Sequence, residues 1–217
     1  MRIRGLAGPA GSVVLVLSST AGVEAGIRTD RLSGKRLEAW RSIVAVVLAQ
    51  DRAGQPLHPA LRRLWDTVEA SGHAVYVELP RSNSRRSYVA GRFAVTKIDP
   101  EGKAHEAVLV MDLSAIDRVS TAPGAARADG FIPLAELGKK QRYAEVLGHE
   151  LAHAAWTFAE PDRAQLAKPF SSAVGELVRE SRQNGGEVDR VSRQLEAFAE
   201  TAEQVVWAEL LAGQRAR

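Results

Sequence analysis

The sequence contains no cysteine among its 217 residues. A disulfide framework, a thiolate zinc site and a cysteine nucleophile are therefore excluded. Any metal ion held by this chain must be bound by histidine and carboxylate side chains. No apolar run approaches the roughly 18 to 20 residues that a membrane-spanning helix needs, so we predict no integral membrane segment.

An excess of charge of one sign is also missing. Charged residues make up 25% of the chain, yet the net charge is only +3 at pH 7. This balance indicates neither disorder nor a strongly cationic nucleic-acid binder. The basic loop Arg81 to Arg86 lacks interleaved aromatic side chains that would stack on bases, so we interpret it as a solvated hairpin tip. We predict no nucleic-acid partner.

The apolar content of 45% is sufficient for one hydrophobic core in a chain of this length. We predict a single domain over residues 26–217. The first 25 residues predict an export signal, because Arg2 and Arg4 precede the apolar stretch Val13 to Leu17 and small or β-branched residues precede Gly26. Export would place the protein in the periplasm or outside the cell. If Val13 to Leu17 is instead a structural strand, the protein is cytoplasmic.

Hydrophobic periodicity changes along the chain. Apolar residues recur at helical spacing over Arg36 to Gln50 and over Pro59 to Ala70, which predicts two amphipathic helices. The next segments alternate or are β-branched and are separated by turn-forming residues, which predicts a hairpin or meander of three strands. These strands are expected at Ala74 to Leu79, Tyr88 to Ile98 and Glu106 to Leu113.

The second half of the chain has a helical pattern from Leu134 to Leu211, with breaks near Glu160-Pro161 and near Asn184 to Gly186. A loop-like stretch, Ser120 to Gly130, joins it to the strands. The predicted fold class is α+β, with a small and mainly antiparallel sheet packed on helices.

The most informative residues are His149-Glu150-Leu151-Ala152-His153, inside a predicted helix over Tyr143 to Phe158. Side chains four residues apart lie on one helix face, so the two imidazoles can bind the same metal ion. Glu150, one step round the helix, suits a general base that takes a proton from a water on zinc. A chance match to this pattern is expected in only about 1% of sequences of this composition.

A catalytic zinc site usually has a third protein ligand besides water. The remaining histidines, His58, His73 and His105, all precede the motif, and none lies on a helix expected to pack against it. A carboxylate from the predicted helix Val191 to Leu211 is therefore the expected third ligand. The glutamates among the apolar residues of this helix are Glu196, Glu200, Glu203 and Glu209.

This order of elements resembles the gluzincin metallopeptidases, in which HExxH on one helix is completed by a Glu on a later helix. The string Glu196-Ala-Phe-Ala-Glu200 is similar to the Phe-Ala-Glu ligand segment of compact members of that family. The resemblance covers roughly the last two-thirds of the chain and implies that Glu200 is the third ligand. Glu196 is an alternative ligand or a group that orients a histidine, and Glu203 is a further alternative ligand.

The resemblance also implies a zincin-like fold, one Zn²⁺ per chain and hydrolysis of a peptide or protein substrate. In the family, an edge strand near the motif helix pairs with extended substrate, and Ala107 to Met111 is the candidate here. The family's additional catalytic Tyr or His has no clear match, because Tyr76, Tyr88 and Tyr143 all precede the motif.

Two alternative functions remain at this stage. One is a zinc-binding module of the same fold that binds a partner without turnover. The other is a helical protein without metal whose basic loop binds an anionic polymer.

Overall fold

The computed structural model of the protein describes residues 25–80, 90–101, 103–121, 134–159, 166 and 187–215. Several predicted features lie outside these residues: the export signal up to residue 24, the basic loop Arg81 to Arg86, and the helix breaks near Glu160 and Asn184. These features stay predictions.

Two helices lie where the periodicity predicts them, and two longer helices lie in the second half. The short helix α3, Leu113–Thr121, corrects the prediction of a strand up to Leu113 and of a loop from Ser120. It begins there because Asp112 Oδ1 accepts hydrogen bonds from the backbone N–H groups of Ser114 and Ala115, at 3.1 and 2.9 Å, and so caps the helix. The helices are α1 Gly34–Val47, α2 Pro59–Glu69, α3 Leu113–Thr121, α4 Lys139–Phe158 and α5 Glu187–Arg215.

Four strands form one mixed sheet in the order β1-β2-β4-β3. β1 pairs with β2 and β2 with β4 in parallel, and only β3 and β4 are antiparallel. The protein is therefore α+β as predicted, but the prediction of a mainly antiparallel sheet is wrong. The strands are β1 Gly26–Arg28, β2 Ala74–Glu78, β3 Gly91–Ile98 and β4 Ala104–Met111.

The sheet order follows from the polarity of the hairpin formed by β3 and β4. Ala107, Leu109 and Met111 of β4 have no exposed surface, whereas β3 is only half-buried and carries Arg92 and Lys97. The more apolar strand takes the interior position beside β2. Ala107 to Met111 is therefore paired on both sides, so the prediction that it offers a free edge is wrong. Among the described strands, β3 lies at one edge of the sheet and β1 at the other, and β3 contacts α4.

α4 is the central element and contacts α1, α2, α3, α5, β3 and β4. Gly148, in the middle of α4, suggests close approach by another backbone, but the structure shows side chains there instead: a Cβ at this position would lie 3.1 Å from Val206 Cγ1 and 3.3 Å from Leu61 Cδ1. The neighbours are side chains of α5 and α2. Trp156 and Phe158 also belong to the core, at 8% and 9% exposed surface.

α5 runs antiparallel to α4. The N–H of Gly138, just before α4, donates to Gln214 Oε1 near the end of α5 at 2.7 Å. Near the other end of α4, the Trp156 ring lies 4.9 Å from the ring of Phe198. Within the described ranges, no helix is both long and apolar enough to cross a membrane.

The capping of α2 by α5 gives a first prediction. The Glu209 carboxylate accepts a hydrogen bond from the backbone N–H of Ala60, at 2.9 and 3.0 Å to its two oxygens. It therefore pairs an N–H group in the first turn of α2 that has no partner within the helix. Glu209→Ala should lower the free energy of unfolding by about 1 to 2 kcal/mol, measured by urea denaturation. Gln204→Ala, an exposed change on the same helix, is the control and should have little effect. Equal stability of the two variants would contradict the capping role.

Candidate metal centre

His149 and His153 lie one turn apart on α4, and their Nε2 atoms are 3.1 Å from each other. Both side chains are largely buried, with 20% and 12% of their surface exposed. The i, i+4 spacing on one helix therefore gives two imidazoles that point at a common position, as the motif predicts.

Glu196 of α5 completes the group. Its two carboxylate oxygens lie 3.7 Å from His149 Nε2 and 3.5 Å from His153 Nε2. Atoms bound to one zinc at 2.0 to 2.2 Å lie about 3.3 to 3.6 Å apart in a tetrahedral site, which is close to these separations. The group of His149, His153 and Glu196 could hold a metal ion.

Glu203, two turns after Glu196, contacts the other nitrogen of the first imidazole. His149 Nδ1 lies 3.1 Å from Glu203 Oε2. Because a carboxylate only accepts hydrogen bonds, Nδ1 carries the proton, and the lone pair of His149 Nε2 points towards Glu196 and His153. Carboxylates in this position orient metal-binding histidines and increase their basicity.

His153 is held by packing on one side. The Phe93 ring of β3 lies parallel to its imidazole, with centroids 6.5 Å apart and an angle of 15°. Its Nδ1 is buried without a hydrogen-bond partner among the described residues. Burial and the neighbouring His149 lower the pKa of His153 to about 3, so its imidazole is neutral at pH 7. A neutral imidazole is the form that binds metal.

The charge balance of the group favours a cation. Burial tends to lower the pKa of His149, but the hydrogen bond to Glu203 and the nearby carboxylates raise it overall. Two imidazole nitrogens and the Glu196 carboxylate thus face a position where a positive charge is stabilised, and Glu203 adds negative charge on the far side of His149.

Glu150 lies between α4 and β3 with only 5% of its surface exposed. Burial raises the pKa of Glu150 to about 7, although His149 and a hydrogen bond from the Phe93 backbone N–H act in the opposite direction. A carboxyl group with a pKa near 7 can both accept and donate a proton at neutral pH.

Glu200, predicted as the third ligand through the resemblance, is exposed and lies outside the group. At 100° per residue, Glu196 and Glu203 lie within about 20° of each other on α5, whereas Glu200 lies about 60° from Glu203. The antiparallel packing of the helices brings the first two to His149. On this geometry Glu196 is the better candidate for the third ligand, and its signal in the sequence is the seven-residue spacing to Glu203.

Among the described residues, the other histidines and the tyrosines do not belong to the group formed by His149, His153 and Glu196. His58 is buried at the start of α2, and the His73 ring stacks on Phe158 at 4.7 Å. The Tyr143 hydroxyl donates to Asp117 at 2.8 Å, and Tyr76 lies under the guanidinium of a neighbouring arginine. Neither of these tyrosines is directed at the metal group, and Tyr88 lies outside the described residues.

The chain matches no known protein family, no curated protein and no solved structure. Its function has to be argued from the chemistry of the site itself.

The identity of the third ligand can be tested by zinc titration of three alanine variants. Glu196→Ala should reduce zinc affinity most, by at least about 100-fold, because a direct ligand is lost. Glu203→Ala should cost about 10- to 100-fold, as expected for a group that orients a ligand. Glu200→Ala is the matched control on the same helix and should bind zinc like the wild type. The assignment of Glu196 is wrong if Glu200→Ala shows the largest loss.

The buried Glu150 predicts a pH dependence in metal-free protein. Its pKa is about 7 when folded and 4.5 when unfolded, so the folded state holds the proton more tightly. This contribution to stability is complete below pH 4.5 and is lost as the pH rises through 7. Relative to Glu150→Gln, wild type should lose roughly 3 kcal/mol of unfolding free energy between pH 4 and pH 8.

The measurement is urea denaturation of both proteins, treated with chelator, across that range. A difference between them that does not change with pH would show that Glu150 has an ordinary pKa.

Proposed function

We propose that this protein is a zinc-dependent peptide hydrolase, in which His149, His153 and Glu196 hold one Zn²⁺ and Glu150 is the general base. The observation that carries the proposal is the convergence of two imidazole nitrogens and one carboxylate beside a buried glutamate. Two His and one Glu are a common ligand set of catalytic zinc.

The choice of zinc rests on the spacing of the ligands. Two histidines and a carboxylate also bind Fe(II) in oxygenases. Here, however, the histidines are four residues apart on one helix with a glutamate directly after the first, which is the arrangement of zinc hydrolases. The motif helix, the antiparallel carboxylate helix and the edge strand beside it support a zincin-like domain.

Zinc bound there would supply Lewis acidity, polarising a carbonyl group and lowering the pKa of a coordinated water to about 7. Glu150 would accept a proton from the attacking water and pass it to the leaving amine. Glu203 keeps the His149 imidazole in the tautomer whose Nε2 is free.

The site is open on the side of Glu196, whose side chain is 55% exposed. A substrate can therefore approach the metal position from solvent. A peptide is the proposed substrate class because β3, an edge strand, runs next to Glu150, and edge strands pair with extended peptides.

A zinc module without turnover has less support. Structural zinc sites are usually closed by four protein ligands, whereas the described residues of this group supply three. A module would also gain nothing from the buried Glu150, which is not a ligand and whose burial is costly.

Glu150→Gln tests the catalytic role. The variant should keep one zinc per chain, because Glu150 is not a ligand, and should hydrolyse a peptide library at least about 100-fold more slowly. The exposed Glu38→Gln on α1 is the control and should keep both properties. Equal hydrolysis by Glu150→Gln and wild type, or none by either, would contradict the hydrolase proposal. The zinc-binding module without turnover would then be the better interpretation.

A further inference from the structure

Gly91, the first residue of β3, lies directly against Glu150. A Cβ at position 91 would come within 2.5 Å of Glu150 Oε1, 2.9 Å of Glu150 Cγ and 2.9 Å of Val146 Cγ1. Gly91 does not have a positive φ, so its backbone conformation does not require glycine. Glycine is required instead because the Glu150 side chain occupies the space that a Cβ would need.

Glu150 has little freedom to avoid such a contact. Its side chain is almost completely buried, and the backbone N–H of Phe93 donates to its carboxylate. A flexible exposed glutamate would simply rotate away. Here, rotation would break that hydrogen bond and push the side chain against the surrounding core.

We propose that Gly91 is a positioning residue for Glu150: the absence of a side chain at this position lets the carboxylate lie against the edge strand, where the Phe93 N–H holds it. The catalytic consequence rests on the function proposed above. The steric relation between Gly91 and Glu150 does not, so the two can be tested separately.

The same strand also supports the metal ligands. Phe93, whose backbone N–H donates to Glu150, also stacks its ring on His153. A Cβ at position 91 displaces the base, while Phe93 and His153 keep their contact. The substitution should therefore separate base placement from metal binding.

The first experiment is a double-mutant cycle on thermal unfolding of metal-free protein, combining Gly91→Ala with Glu150→Ala. Gly91→Ala should lower the unfolding midpoint of wild type, and at least half of that shift should disappear in the Glu150→Ala background. Gly148→Ala is the matched control, because its Cβ would meet Val206 and Leu61 instead of Glu150. Its shift should be the same in both backgrounds.

Repeating the cycle in a Val146→Ala background removes the second contact of the new Cβ and isolates the carboxylate. A Gly91→Ala chain that folds only when Glu150 is truncated supports the proposal. An equal shift with and without the Glu150 side chain, or failure to fold in every background, overturns it because the constraint then lies elsewhere.

The second experiment measures the reaction. Gly91→Ala should keep one zinc per chain and a KM near that of wild type, while kcat falls about 10- to 100-fold because the base is misplaced. In the Glu150→Asp background, which removes the contact with Oε1 at 2.5 Å but keeps Cγ at 2.9 Å, Gly91→Ala should lower kcat less than it does in wild type.

The outcomes separate the two proposals. Wild type that hydrolyses peptides while Gly91→Ala keeps full kcat overturns the role of Gly91 and leaves the hydrolase standing. Wild type without hydrolysis removes the hydrolase, and the unfolding cycle still decides whether Gly91 positions Glu150.

Discussion

The antiparallel packing of α4 against α5 is the constraint on which the rest of the site depends. At Gly148 the missing side chain allows Val206 of α5 to approach α4 closely, and the contacts of Gly138 with Gln214 and of Trp156 with Phe198 mark the same register of the two helices. In that register Glu196 and Glu203 reach opposite nitrogens of one imidazole, His149. A shift of one turn would bring other side chains of α5 to the histidines, so core packing and ligand geometry are determined together.

Burying Glu150 and the two histidines of the candidate metal site has an electrostatic cost, because the apolar core does not solvate charged groups. Burial raises the pKa of Glu150 to about 7 and lowers that of His153 to about 3, so each is less easily charged than in water. Polar groups that conflict with their surroundings are expected at functional sites, since a sequence selected only for stability would avoid them. A bound cation would reduce the repulsion among the carboxylates, which is why metal binding and folding should be linked here.

The sequence was informative mainly where the determining interactions are local. Helical periodicity located α1, α2 and α4, and the i, i+4 spacing identified His149 and His153, because both depend on neighbours within one turn. The sheet order and the identity of the candidate third ligand depend on contacts between distant segments. The choice between Glu196 and Glu200 needs the register of α5 on α4, which neither helix encodes alone. α3 was missed although its signal, the capping Asp112, was local.

The position of β3 connects the sheet order to the chemistry of Glu150. An interior strand has its N–H groups paired on both sides, so it has none to offer a side chain. β4 takes the interior position because its residues are more apolar, and this leaves β3 at the edge with the Phe93 N–H available to Glu150. A glycine at position 91 then removes the steric barrier that any other residue would place beside the carboxylate. The hydrophobicity of β4 thus determines which strand lies beside α4 at the edge of the sheet, and so where the Glu150 carboxylate is held.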